Sequence, residues 1–400
     1  MMRILFVDPA PLDGARTESL QFLQLAEAVA GQGAHVTLVT PLSGTTQEPA
    51  EILGRSPSGR LKCEFLNDPR QRLVYRLAGL GRSNKPFLRN INLWLAQKGC
   101  DFDYVYVRNL KLAESILRAQ ERPKILYHAH EHFGRVFRET YLESGWRRNR
   151  KMSHLLRREK TVVTSVDGIV ATVQAIIDDL RADYGTIAPA IVVPNGVDLA
   201  GVEKCVLKPS SSKKIRALYL GSLHPWKGVG TLIQAMATVS SDVELDIAGG
   251  LPQQIAVLKD LAASIGVSHS VQFLGPIPPA ERFAVIGGAD VTLLPLVEKS
   301  GMAARYTSPL KIFEYMALGK PIVASDLPSI RTILRNRSDS VLVPPDSPDD
   351  WAKAMTELAG SAELRRDIGE RARVNAQNCS WAKRADVLLS WLEGGRPPRD

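Results

Sequence analysis

The chain has 400 residues, a formal net charge of +9, and 44% hydrophobic against 23% charged side chains. That length exceeds one ordinary hydrophobic core and predicts two domains, and the globular composition excludes a fibrous or disordered chain. No apolar run approaches the roughly 18 residues of a membrane span, and the apolar stretch in residues 1–9 is too short for a signal peptide. Cys63, Cys100, Cys205 and Cys379 lie far apart, with no C-x-x-C and no paired His spacing. They give no disulfide or zinc framework and fit a reducing compartment.

Residues 2–8 read as a first strand, ending at Asp8-Pro9. A loop through Gly14 follows, then a helical pattern through Leu20, Leu23, Leu25 and Val29 to Gly31, then a strand at 36–39. This strand–helix alternation continues down the chain and predicts an α/β fold of doubly wound sheets. A dinucleotide site would place G-x-G-x-x-G in the first turn; only Gly14 stands there, which argues against a nicotinamide enzyme.

After a short strand at 61–66, residues 70–99 read as two helices broken near Gly79 to Pro86. They mix Arg72, Arg76 and Arg89 with Leu77, Phe87 and Trp94. Such a basic amphipathic helix either lies on an anionic bilayer or packs as an ordinary solvated helix. A second cluster, Trp146-Arg147-Arg148-Asn149-Arg150-Lys151 with Arg157-Arg158, strengthens the membrane reading. Residues 70–160 hold 21 Lys/Arg against 8 Asp/Glu, so the basicity sits in one part of the first half. Nucleic acid would use the same charge, but no nucleic-acid motif accompanies it.

Strands at 104–107 and 125–127 come next, and the second runs into His128-Ala129-His130-Glu131-His132. The i, i+2 histidines offer two metal ligands, but no Cys or further His supports them nearby. A strand at 169–172, a helix at 173–184 and a strand at 191–193 lead to the turn Pro194-Asn195-Gly196-Val197-Asp198. Residues 208–214, Lys-Pro-Ser-Ser-Ser-Lys-Lys, are a low-hydrophobicity break and a domain boundary.

The second half restarts with a strand at 215–220 and the turn Gly221-Ser222-Leu223-His224-Pro225-Trp226-Lys227-Gly228. Strands at 245–248 (followed by Gly249-Gly250), 271–274, 291–294 and 341–343 alternate with helices, and the chain closes with helices at 351–359, 362–378 and 380–392. The most informative stretch is 308–324. Ser308 is a good N-cap and Pro309 suits the first helical position. Leu310, Phe313, Met316 and Ala317 repeat at helical spacing, Gly319 ends the helix, and Pro321-Ile322-Val323-Ala324 reads as a buried strand. The mouth of such a helix attracts anions, and Lys311 adds a full charge there. Glu314, one turn deeper, either accepts from ribose hydroxyls or simply pairs with Lys311.

The segment S-P-x-K-x-x-E-Y-M-A-x-G-x-P-I-V resembles the donor signature of glycosyltransferase family 4, whose members have the GT-B fold. That resemblance implies two Rossmann-like domains facing each other across a cleft, with a C-terminal helix crossing back to the first. It assigns Glu314 to the ribose of a nucleotide-sugar, and Ser308, Pro309, Leu310 and Lys311 to the diphosphate through the 309–311 amides. Lys227 and Gly228 match the family's K-G turn, and P-N-G-V-D at 194–198 matches its interdomain crossing. Gly249 would let the backbone approach the nucleotide. Gly14 would approach donor phosphate or acceptor, or is a plain turn glycine. His130 and Glu131 match a His–acid pair placed near donor sugar and acceptor. Two positions depart from the pattern: Tyr306 stands where many members have glutamate, and Ser222 where many have arginine.

The resulting expectation is an acceptor-binding domain at 1–200, a donor-binding domain at 201–379, and a helix with tail at 380–400. The expected reaction moves a sugar from a UDP- or GDP-linked donor to a polysaccharide or lipid-linked glycan, with retention, without cofactor or metal. The expected location is the cytoplasm, peripheral on the inner membrane face through residues 70–160. A nucleotide-sugar epimerase and a non-catalytic GT-B scaffold remain as alternatives, with a basic nucleic-acid binder below them.

Overall fold

The computed structural model describes residues 1–14, 16–67, 85–141, 145–204, 214–299 and 301–394. The first helix expected after Arg70 and most of the 208–214 break lie outside the described residues. Two compact units emerge, Met1–Pro194 with Trp381–Asp400, and Asn195–Ser380.

The first unit alternates strands β1 (Arg3–Val7), β2 (His35–Leu42), β3 (Leu61–Asn67), β4 (Tyr104–Val107), β5 (Lys124–Ala129), β6 (Gly168–Ala171) and β7 (Ala190–Val192) with helices. Among the described residues up to Pro194, its helices of eight residues or more are α1 (Thr17–Gly31), α2 (Lys85–Lys98), α3 (Leu110–Leu117), α4 (Phe133–Thr140), α5 (Trp146–Ser165) and α6 (Gln174–Tyr184). The strands form one sheet in the order β3-β2-β1-β4-β5-β6-β7. Every pairing is parallel, with Ile4 opposite both Val36 and Tyr104. Helices cover both faces of such a sheet, so its strands are continuous apolar runs; Ile4, Leu5, Phe6 and Val7 are fully buried.

The second unit repeats the plan with β8 (Ile215–Leu220), β9 (Val243–Ala248), β10 (Val271–Gly275), β11 (Val291–Leu294), β12 (Ile322–Ser325) and β13 (Val341–Val343). Its long helices are α7 (Pro252–Ile265), α8 (Leu310–Ala317), α9 (Pro348–Gly360) and α10 (Ala362–Ala376). The parallel order is β10-β9-β8-β11-β12-β13. Trp351, Leu232 and Leu358 fill one face of the sheet, and Phe313, Met316 and Ile330 fill the other. In each sheet the strand order reverses once, between β1 and β4 and between β8 and β11. Ligands bind at such reversals, in the crevice outside the carboxyl ends of the strands.

Helix α11 (Trp381–Leu392) belongs to the first unit. Its Trp381 Nε1 donates to Gln24 Oε1 of α1 at 2.8 Å. Its Trp391 ring packs so tightly on Gly168 that an added Cβ would lie 2.6 Å from the ring.

Helix α2 corrects part of the membrane expectation. Phe87, Ile91 and Leu95, spaced four apart, are buried in the core, and Trp94 Nε1 donates to Glu64 Oε2 at 3.1 Å. Its main apolar stripe is therefore spent inside the fold. Among the described residues no helix is long and apolar enough to cross a membrane.

Candidate active site

In the second unit, glycines bring the strand ends close together at the reversal between β8 and β11. Gly221, just past β8, donates its N–H to Ala248 O at 2.9 Å, and Gly249 donates to Gly275 O at 2.6 Å. Gly249 has φ +108°, and a Cβ there would stand 2.2 Å from Gly221 O. Gly228, at φ +70°, packs its Cα against the end of β11, where an added Cβ would overlap Pro295 O. Only glycine tolerates such φ values together with such backbone contact.

These close approaches surround Lys311 in the first turn of α8. Its ammonium lies 4.4 Å from the Tyr219 ring centre, and Nζ is buried with no hydrogen-bond partner among the described residues. Burial pushes its pKa well below the usual lysine range; the Lys227 charge pushes the same way, and Glu314 opposes both. Lys227 itself sits over the Trp226 ring at 3.6 Å. A buried amine without an acceptor, with a second lysine acting on it, is an arrangement that an anion would complete.

Glu314 is buried, and its partner is not Lys311. Its Oε1 accepts from Arg282 Nε at 2.8 Å, which leaves Oε2 without a hydrogen bond among the described residues. Burial raises the Glu314 carboxyl above its ordinary range, and Arg282 counteracts this. The N-cap expectation at Ser308 is also corrected. Pro309 occupies the N-cap position and α8 begins at Leu310. The Ser308 hydroxyl instead accepts the Asn195 N–H at 3.2 Å, which ties P-N-G-V-D to the start of α8. Pro309 carries no N–H, so the open donors at this mouth begin at Leu310 and Lys311. Ser222 is exposed, and its carbonyl accepts from Tyr219 O–H at 2.6 Å. Tyr306 is buried at the end of a π-helix, Met302–Tyr306.

In the first unit, the ends of β1, β4 and β5 enclose a cavity of about 330 Å³ lined by Asp8, Arg16, Arg108, Asn109, His130 and Phe133, among others. Arg108 is buried and donates to Glu18 O at 3.0 Å. Burial raises the Asp8 carboxyl above its usual range, and Arg108 pulls it back. His130 Nδ1 is buried without a hydrogen-bond partner among the described residues; burial first, then Arg108, pushes its pKa down to about 3. The imidazole is therefore neutral near pH 7. Glu131 goes the other way: burial, aided by Glu159, raises it to about 7, so it holds a proton part of the time at neutral pH. Gly14 N–H is taken by Gln47 Oε1 at 2.7 Å.

His132 has a different task from its neighbours. It caps α4, accepting from Arg135 N at 3.2 Å, and its ring stacks on Tyr184. Glu159 of α5 accepts from Phe133 N at 2.6 Å, Gly134 N at 3.0 Å and Tyr184 O–H at 2.6 Å. The loop that carries His130 and Glu131 is thus anchored from behind. Among the described residues no cluster of His, Cys, Asp or Glu has metal-holding geometry.

Sequence reasoning passed over Arg108, Arg282 and Tyr219, and named Gly221 only as the start of the turn that ends at Gly228. Arg108 and Gly221 directly follow strands at the two reversals, and only the strand order marks that position as special.

Solved structures and families carry the same architecture. Sucrose-phosphate synthase from Thermosynechococcus elongatus superposes with a TM-score of 0.75 at 19% identity, over 98% of this chain and 99% of that one. HepE from Anabaena, in complex with UDP and glucose, gives 0.71 at 16% identity, over 98% and 100%. The fold is therefore that of the GT-B class, two Rossmann-like α/β units. Residues 20–200 match the model for Glycosyltransferase Family 4, and residues 214–361 that for Glycosyl transferases group 1. Taken together these matches reach across most of both units, and the chain is a family 4-like glycosyltransferase. The D-inositol 3-phosphate glycosyltransferase of Nocardia farcinica is 30% identical over 249 residues, 58% of this chain and 53% of the relative. Its counterpart in Corynebacterium urealyticum is 27% identical over 274 residues, 63% and 62% respectively. The matched region thus spans between about half and two thirds of these relatives.

Proposed function

We propose that this chain transfers a sugar from a UDP-linked donor to an acceptor that carries phosphate. The observation behind the donor half is the buried, unpartnered Lys311 ammonium at the β8–β11 reversal. Lys311, Lys227 and the Leu310 and Lys311 amides receive the diphosphate, and Glu314 Oε2 accepts from the ribose. The acceptor oxygen bonds to the anomeric carbon as the bond to the diphosphate breaks; the diphosphate leaves with the electron pair and takes up the proton of the acceptor hydroxyl. Two fixed lysines and a helix mouth stabilise that developing charge in a site already organised to hold it. They supply the positive charge that a divalent cation gives elsewhere, which favours a metal-independent reaction. Retention of configuration is carried over from the family resemblance.

The acceptor half rests on the first unit's cavity, where Arg16 and Arg108 offer positive charge beside His130. Neutral His130 hydrogen-bonds sugar hydroxyls, and Glu131 positions the attacking group. HepE, solved with UDP and with UDP-glucose, supports uridine as the base. The relatives' names, D-inositol 3-phosphate glycosyltransferase and sucrose-phosphate synthase, support a phosphate-bearing acceptor. A thermal-shift series with UDP, GDP and ADP on wild type, Lys311→Met and Glu314→Gln tests the donor half. A rise in midpoint with UDP that both variants lose supports it. No rise with any diphosphate overturns it and leaves a non-catalytic scaffold.

A further inference from the structure

Helix α5 is buried only along its second half. Its 20 residues bury Glu159, Val162 and Val163, and none of the first three turns. Yet those turns carry Trp146, which is 68% exposed, together with half-buried Leu155. Helix α4 presents Phe133 and Phe137 alongside, and between the two helices runs an open groove of about 640 Å³. Phe133, Phe137, Leu155 and Trp146 thus form one exposed apolar trough, and a contiguous apolar patch with a polar rim marks an interaction site.

The rim of the groove is basic. Arg147, Arg150, Lys151 and Arg158 line it, and no acidic side chain does. Arg158 is paired with Glu114 at 2.6 Å, and Lys151 Nζ reaches Tyr141 O–H at 2.8 Å. Arg147 lies over the Trp146 ring at 5.5 Å, and neither it nor Arg150 has an ion pair among the described residues. Two guanidinium groups therefore stand beside an apolar trough with no carboxylate paired to them among the described residues.

Phe133 lines both this groove and the Asp8–Arg108–His130 cavity. The His130 ring meets it edge-on, with centroids 5.4 Å apart. One side chain thus forms the wall common to groove and candidate acceptor site.

We infer that the α4–α5 groove seats a single amphiphilic acceptor, an apolar chain joined to a phosphate. The chain lies over Phe137, Leu155 and Trp146, and the phosphate faces Arg147 and Arg150. A head group carried beyond the phosphate then passes Phe133 toward His130. Charge complementarity selects the phosphate, because a neutral amphiphile would leave both guanidinium groups unused. This deepens the acceptor half of the proposed function and rests on it, but not on the nucleotide.

The test is calorimetric titration with monomeric farnesyl phosphate, without nucleotide, beside farnesol and inorganic phosphate. Binding is expected for farnesyl phosphate, with a blue shift in tryptophan emission that Trp146→Phe abolishes. The doubly substituted Arg147→Gln, Arg150→Gln chain, altered only at exposed positions, should bind at least about tenfold more weakly. Farnesol and inorganic phosphate should each bind at least about tenfold more weakly than farnesyl phosphate. Absence of farnesyl phosphate binding, or equal binding by the double variant, overturns the inference. So does binding to vesicles of phosphatidylglycerol and phosphatidylcholine with none to the monomer, which would make the groove a surface adhesion. Since no nucleotide is present, failure of the donor reading shows separately, as a missing UDP shift.

Discussion

The Lys311 ammonium stands over the Tyr219 ring, and a methyl group added at Gly221 would come within 2.2 Å of it. The fold thus encloses an amine that no hydrogen bond within the described residues satisfies. Such a group costs stability and is retained for what it binds. Lys311→Met keeps the stem and removes the charge. The variant should resist urea by about 1 kcal/mol more than wild type while losing its response to UDP. A less stable variant would mean that the lysine serves the fold instead.

Gly249 holds the backbone of the β8 end at contact distance, at φ +108°. Gly249→Ala brings a Cβ into Gly221 O and forces a left-handed conformation on alanine. The expected cost is roughly 3 kcal/mol in urea denaturation. An alanine variant within 1 kcal/mol of wild type would show that this turn relaxes freely.

Glu131 offers a prediction in pH. Its carboxyl is raised to about 7 by burial and by Glu159, above the 4.5 of an unfolded chain. Below pH 4.5 the group is protonated in both states and costs nothing. As pH rises toward 7 the unfolded chain releases its proton more readily, and the folded state loses stability. Glu131→Gln removes that loss. The variant should gain on wild type as pH climbs from about 4.5 to 7, to a difference on the order of 3 kcal/mol. Parallel stability curves would contradict the assigned shift.

Glu159 is the residue whose loss should disturb the most backbone. Glu159→Ala strips the acceptor from Phe133 N, Gly134 N and Tyr184 O–H at once. A cost of about 3 kcal/mol is expected, read as a lowered melting midpoint. Arg135, paired with Asp183 at 2.8 Å, supports the same loop from its other side, so Asp183→Ala should cost less.

The regular elements were largely legible in the sequence. Strands at 215–220, 291–294 and 341–343 coincide with their predicted limits, because each is an apolar run cut off by turn residues. Ser308 misled because its hydroxyl is recruited by Asn195, 113 residues earlier. Local rules make Ser308 a cap; tertiary contact spends it elsewhere. Of the two readings of Glu314, the pairing with Lys311 fails similarly, since Lys311 is its neighbour on the helix but Arg282 is its neighbour in space. Arg108 carries no local mark. It is one of many basic residues between 70 and 160, and strand order alone sets it at the mouth of a cavity.

Helix α11 closes the first unit although nearly two hundred residues of the second are synthesised before it. During translation α1 must therefore wait, its Gln24 unanswered, until Trp381 leaves the ribosome. A chain broken off anywhere in the second unit would carry that vacancy permanently. It would display apolar surface that a finished molecule hides, and quality-control proteases would have a signal for discarding it, even when the second unit had folded well.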